Sequence, residues 1–169
     1  TSALEAPRPP AFHSLAGGEQ RRALEHVRRY VAGPVRRRVE AGHSDFVNEL
    51  RVLSMVFLGF PGLSAPAEEG GGGPGLEPVQ RVTAALQAEL AMHDGALVQM
   101  RCDEKGYLAI CALGLPGHAH VDDARRALEL AAGVCNALGP GFAVAGVTTG
   151  QLFCAVVGAP SRVEYTVFG

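Results

Sequence analysis

Tryptophan is absent from this chain, and all aromatics together make up only 6% of it. No apolar run approaches the roughly 18 residues that a membrane-crossing helix needs. Neither sign of charge dominates: 15 Lys and Arg stand against 17 Asp and Glu, a net charge of −2. That balance gives no electrostatic footprint for nucleic acid or for an acidic substrate. The four cysteines, Cys102, Cys111, Cys135 and Cys154, form no Cys-x-x-Cys pair, and each sits in an apolar run. They read as small buried hydrophobes in a reducing, cytoplasmic setting rather than as disulfides or metal ligands. Gly70-Gly71-Gly72-Gly73 lacks the Gly-Lys-Ser/Thr ending of a phosphate-binding loop, so it reads as a flexible loop. No Gly-x-Ser-x-Gly elbow is present. The first ten residues carry neither an initiator Met nor an apolar stretch; they do not read as a signal peptide, and an internal piece of a longer chain is expected.

The chain does have enough apolar material for one cored domain: 169 residues, 47% of them hydrophobic. Residues 1–18, rich in Pro, Ala and Ser, read as a flexible linker. Residues 19–44 read as a basic amphipathic helix and inter-domain connector. Leu24, Val27, Val31, Val35 and Val39 recur at helical spacing, and seven arginines fall within residues 19–44. A bend is expected at Gly33-Pro34 and a stop at Gly42. The apolar stripe has neither Trp nor Phe, so a solvated face is favoured over a membrane surface.

From residue 45 onward the pattern changes. Val52 to Phe60 is a nearly unbroken apolar run, suited to a strand buried in a sheet. Pro78 to His93 predicts a helix with Val79, Val82, Leu86 and Leu90 inward. Ala96–Cys102 and Tyr107–Leu115 read as strands around the turn Asp103-Glu104-Lys105-Gly106. A helix from Asp122, its N-cap, to Leu138 turns Ala124, Leu128, Ala131, Ala132 and Cys135 inward. Phe142–Val147 and Gln151–Val157 read as two strands joined at Thr148-Thr149-Gly150, before a closing Glu164-Tyr165-Thr166-Val167-Phe168-Gly169. The order is β-α-β-β-α-β with an extra hairpin: an α+β, ferredoxin-like sandwich. Its expected core is Val56, Phe57, Leu97, Leu108, Ile110, Val144, Val147 and Val156, under Leu86 and Leu128. His118-Ala119-His120 has a spacing that a metal could use. It lacks an evident third ligand, so it reads as a loop pair. Asp122-Asp123 fits a helix start without any catalytic role.

Several blocks fall in one order: Phe46 to Leu58, Asp103 to Gly114, Leu115-Pro116-Gly117 with the Ala-rich helix after it, and Glu164 to Gly169. Together they resemble class III adenylyl and guanylyl cyclase domains, most closely the second cyclase domain of bicarbonate-responsive adenylyl cyclases. The resemblance covers roughly residues 24–169. It implies a part in making cyclic AMP and diphosphate from ATP, in a site shared by two cyclase domains paired as a pseudo-symmetric dimer. The family's two metal carboxylates match Gly59 and Tyr107 here, and neither side chain can hold a hard cation. The resemblance therefore implies the base-recognising half, with Mg2+ held by the partner domain and bicarbonate as a candidate activator. Its base-contacting residues match Thr166 and Gln99, on strands expected side by side and facing one cleft. Gln99 stands where the family has Lys. Arg101 and Asp103 make that region more polar than in the family. The family's transition-state Asn and Arg lie beyond Thr166 on a helix that the sequence does not reach. The resemblance thus implies a C-terminally truncated domain with no catalytic residue of its own, inactive alone. A non-catalytic pseudo-cyclase acting as dimer partner or scaffold is the alternative. An RNA-recognition motif shares the element order, but Ala109 and Ala112 stand where stacking aromatics are required.

Overall fold

A computed structural model describes residues 16–31, 36, 40, 48–61, 63, 76–103, 106–159 and 162–169, the side chains of 159, 162 and 163 excepted. The expected Gly33-Pro34 bend, the stop at Gly42, the glycine-rich loop and most of the linker lie outside these residues. The chain divides into two units, Thr1–Ala32 and Gly33–Gly169.

In the first unit, α1 runs over Gly17–Arg28. The Glu19 carboxylate accepts a hydrogen bond from the Ala16 N–H at 3.1 Å, which meets one of the donors a helix start leaves open. None of its residues is buried, and Leu24 and Val27 are half exposed.

The second unit is built on five antiparallel strands: β1 Glu49–Phe60, β2 Ala96–Asp103, β3 Gly106–Leu113, β4 Val144–Ala159 and β5 Arg162–Phe168. Their order across the sheet is β2-β3-β1-β4-β5. The first four follow the ferredoxin-like arrangement, and β5 is the added hairpin strand. Two helices, α2 Leu76–His93 and α3 Asp123–Leu138, cover one face. In β1, alternation sends Val56, Leu58 and Phe60 to the helices and Leu53, Met55 and Phe57 to the other face. The helix-side cluster joins the first set to Ala109, Cys111 and Leu113 of β3, Val82, Leu86 and Leu90 of α2, and Leu130 and Val134 of α3. Each large side chain fully withdrawn there contributes about 1.5–3 kcal/mol. Arg81 of α2 lies over the Phe142 ring, 4.8 Å from its centroid, and ties that helix to the approach to β4.

Gly106 begins β3 at φ +104°, and a Cβ there would meet the Phe60 carbonyl oxygen at 2.9 Å. Glycine is therefore required where the β2–β3 turn crosses the end of β1.

The structure alters four readings of the sequence. Thr148-Thr149-Gly150 is not a turn. These residues pair with Met55, Ser54 and Leu53 in the middle of a single 16-residue strand. The Thr149 hydroxyl is 2.8 Å from that of Ser54, which is buried, so the threonine satisfies a polar group in the sheet. The phase of α3 is rotated: Ala127, Leu130, Ala131, Val134 and Leu138 are buried, and Leu128 is 60% exposed. Alanines on both sides of that helix left its apolar stripe poorly defined. Asp122 sits at the N-cap without a capping bond. Its carboxylate pairs with Arg126 at 3.0 Å and with Arg125. Finally, Phe57, Leu97 and Val144, expected in the core, are all substantially exposed. Phe57 and Val144 belong to or border the uncovered face, and Leu97 lies on an edge strand. Val56 and Leu86 are buried as expected.

Candidate functional site

The face away from the helices is not bare. Leu53, Met55, Ala112, Leu115 and Cys154 form a second, smaller buried cluster there, edged by Val98, Ile110, Leu152, Tyr165 and Val167. Beside it opens a cleft of about 380 Å3. Its apolar lining is Met55, Phe57, Val98, Ile110, Leu152 and Val167; the polar residues along it are Gln99, Thr148 and Thr166. Among the described residues, no side chain lining the cleft is ionisable.

Local backbone irregularity sets Gln99 there. Leu97 pairs with Cys111, but Gln99 pairs with Ile110, so one residue of β2 is extra. Without that bulge, Gln99 would stand opposite Ala109 on the helix side. With it, both Val98 and Gln99 serve the open face. Across the sheet the row reads Gln99, Ile110, Phe57, Gly146, and the next row on the same face contains Met55 and Thr148. Phe57, 38% exposed, is thus a central apolar ring on the cleft's floor.

Thr166 and Gln99 both border this cleft, but not from neighbouring strands, and alternation along β5 turns the Thr166 side chain away from the face that Gln99 shares. They reach it from β5 and β2, the two opposite edges of the sheet. Alternation along β5 sets Tyr165 and Val167 on the face of Cys154, with Thr166 between them and paired to Ala155. Thr166 therefore meets the cleft at its rim, while Gln99 and Thr148 project from its face. Phe57, Met55 and Thr148 were missed as site residues. Odd-number alternation in β1 could have revealed the first two; Thr148 was masked by its turn-like sequence.

Gly59 and Tyr107 do lie together, as Phe60 pairs with Tyr107 and Gly59 with Leu108. They do not fit a metal. A Cβ at Gly59 would meet the Val144 side chain at 3.0 Å, and Tyr107 packs into the helix-side core. Among the described residues no group of three His, Cys, Asp or Glu could hold an ion. His118 and His120 instead share the Asp94 carboxylate, at 3.7 and 3.1 Å, pinning the loop before α3 to the turn after α2. Arg101, Cys102 and Asp103 are exposed at the end of β2, outside the cleft lining. For Cys102 this departs from the expected burial. Cys111 is buried, which pushes its thiol up to about 12. Burial also raises the Cys154 thiol, against a hydrogen bond with Tyr165 that works the other way.

No family model matches this chain. Curated proteins do: adenylate cyclase type 10 of Oryctolagus cuniculus and of Homo sapiens are each 28% identical over 128 residues, which is 73% of this chain. The matched stretch spans only 8% of their length. Among solved structures, a bacterial light-regulated adenylyl cyclase superposes at a TM-score of 0.69 with 12% identity, over 98% of this chain and 51% of its own. The adenylyl cyclase CyaB from P. aeruginosa gives 0.59 at 17% identity, covering 73% and 68%. The guanylyl cyclase Cya2 gives 0.51 at 19%, covering 73% and 66%. The chain resembles class III adenylyl and guanylyl cyclase domains in sequence and has their fold. Among the described residues, no helix is long and apolar enough to cross a membrane.

Proposed function

We propose that this chain contributes the base-recognising half of a paired adenylyl cyclase site, which converts ATP to cyclic AMP and diphosphate in the cytoplasm. The observation that carries this is the pairing of two contrasts: an uncharged cleft on the open sheet face, and Gly59 with Tyr107 where the resemblance would put metal carboxylates. A half built this way binds and orients a base and leaves charge neutralisation to the other half. The Mg2+ that such chemistry uses belongs, on this reading, to a partner cyclase domain. In that partner's absence the chain holds the base on Phe57, Met55 and Ile110, with Gln99 and Thr166 as polar contacts. A hydrogen bond from either contributes about 0.5–1.5 kcal/mol.

The test uses the longer enzyme containing this domain and a metal-binding cyclase half. Gln99→Lys restores the family's cationic donor and is expected to tighten ATP. Thr166→Ala is expected to raise the apparent KM for ATP several-fold with little change in melting temperature. Steady-state cyclic AMP production at fixed Mg2+ reads both. If neither substitution alters nucleotide dependence, the assignment of the cleft fails. The second reading, a pseudo-cyclase that only dimerises, draws support from Gln99 itself, since the position carries no charge. It predicts that both variants are silent while loss of the domain still lowers its partner's activity.

A further inference from the structure

We propose that α1 is a docking helix for a partner protein, whose matching surface is a helix with an apolar stripe flanked by carboxylates. This surface lies in the first unit, and its role does not depend on that of the cleft. Ala23, Leu24 and Val27 fall on one side of α1, and Tyr30, three residues beyond Val27, extends the line. Leu24 and Val27 are half exposed and Tyr30 is 82% exposed. No residue of α1 is buried. A helix of 12 residues is close to the length below which an isolated helix is marginal in water. Most of the stability of such a helix comes from covering its apolar face.

The charges beside the stripe select what covers it. Arg21 and Arg28, three residues before Leu24 and four after it, run along one border. His26 runs along the other, with Arg22 and Arg29 behind it. Glu25 falls on the side away from the stripe, and the Glu19 carboxylate is turned back to the Ala16 N–H at 3.1 Å. Both borders are therefore basic. A second copy of α1 laid on the stripe would set arginine beside arginine in either direction, and like charges along such a seam oppose pairing. A helix with acidic borders forms opposite-charge pairs along both. The stripe has neither Trp nor Phe to anchor it in a lipid surface.

The purified chain is titrated with a labelled synthetic helix of about three heptads that carries a leucine stripe flanked by glutamates, and with its twin flanked by lysines. Fluorescence anisotropy reads binding. The glutamate peptide is expected to bind about tenfold more tightly than the twin, the sum of a few exposed charge pairs. Most of that advantage should vanish in about 1 M salt, where the Debye length falls to about 3 Å. Equal binding of the two peptides, or binding of neither, overturns the proposal. Leu24→Gln with Val27→Gln should weaken the glutamate peptide about tenfold; unchanged affinity overturns the stripe as the contact. Arg21→Glu with Arg29→Glu, one on each side, should bring the two peptides within about threefold of each other. A preference still at tenfold overturns the part assigned to the arginines. Neither pair of substitutions touches a buried residue, so both variants should keep the melting temperature of the original chain. Two other occupants are read in parallel. Self-association in sedimentation that Leu24→Gln with Val27→Gln abolishes would make a second copy the occupant. Tighter binding to phosphatidylserine vesicles than to the glutamate peptide would make it a lipid surface. Either result overturns the proposal.

Discussion

The two faces of the sheet are built from alternate residues of the same strands, yet they behave differently. Toward the helices, Val56, Leu58 and Phe60 are completely buried. On the reverse, Leu53 and Met55 are buried by a thin cluster, and Phe57, next in that row, is left 38% exposed. One face is closed by two helices and stabilises the domain. The other is apolar without being covered, and the polar side chains lining its cleft are few and uncharged. An apolar floor with a few convergent polar groups is the usual composition of a small-molecule site.

Stability should separate the faces most sharply. Leu58→Ala, at a fully buried position, is expected to lower unfolding free energy by about 2–5 kcal/mol in urea titrations. Phe57→Ala should cost less than half of that, because much of its ring already meets water. Equal costs would erase the distinction between the faces. Nucleotide binding should show the reverse ranking. Phe57→Ala is expected to weaken both ATP and GTP about five- to tenfold, the worth of one base stacked on an aromatic ring. Leu58→Ala should leave affinity nearly unchanged at temperatures where the protein remains folded.

Thiol chemistry samples the same contrast. Cys102, exposed at the end of β2, should react with iodoacetamide in the native protein while Cys111 stays unmodified. Cys111 also predicts a pH effect. Its folded pKa lies above the ordinary 9.0, at about 12. The stabilisation is therefore full below pH 9 and is lost as pH rises toward 12. Melting temperature should fall over that range, and the fall should be shallower in Cys111→Val. A parallel decline in both proteins would assign the loss to other groups.

The smallest effect is expected between the helices. A Cβ on Gly133 of α3 would run into the carboxylate of Glu89, which lies 3.5 Å from His93. That carboxylate ends a flexible side chain and can swing away. Gly133→Ala should therefore be near neutral, the lost contact offset by about 0.8–1 kcal/mol of helix propensity. Destabilisation beyond about 2 kcal/mol would mean that Glu89 cannot move.

The helix-covered face was the more legible one in the sequence. Its signals are local: the apolar run of β1 and the four-residue spacing of Val82, Leu86 and Leu90. The rotated phase of α3 shows where that signal fades, among alanines that fit inside or outside. The cleft was harder to read because its parts are not local. Gln99 and Thr166 were matched by resemblance, but only strand order shows that they come from opposite edges. The bulge that turns Gln99 to the open face has no mark in the residues Leu97-Val98-Gln99. Thr148-Thr149-Gly150 carries turn-forming residue types, and pairing along all of β1 overrides them.

The unbroken strand β4 has a consequence for how this domain can change over time. It pairs with β1 through Val144–Cys154 and with β5 through Phe153–Ala159. Its side chains therefore obey a two-beat count that both neighbours share. A single residue inserted near Gln151 would keep Thr148 in the cleft but send Cys154 and Val156 to the opposite face, stranding Tyr165 and Val167. Substitutions along this strand can be absorbed one at a time, whereas a one-residue insertion shifts the frame of everything beyond it. Length variation is accordingly expected in the turns around β4 and not within it.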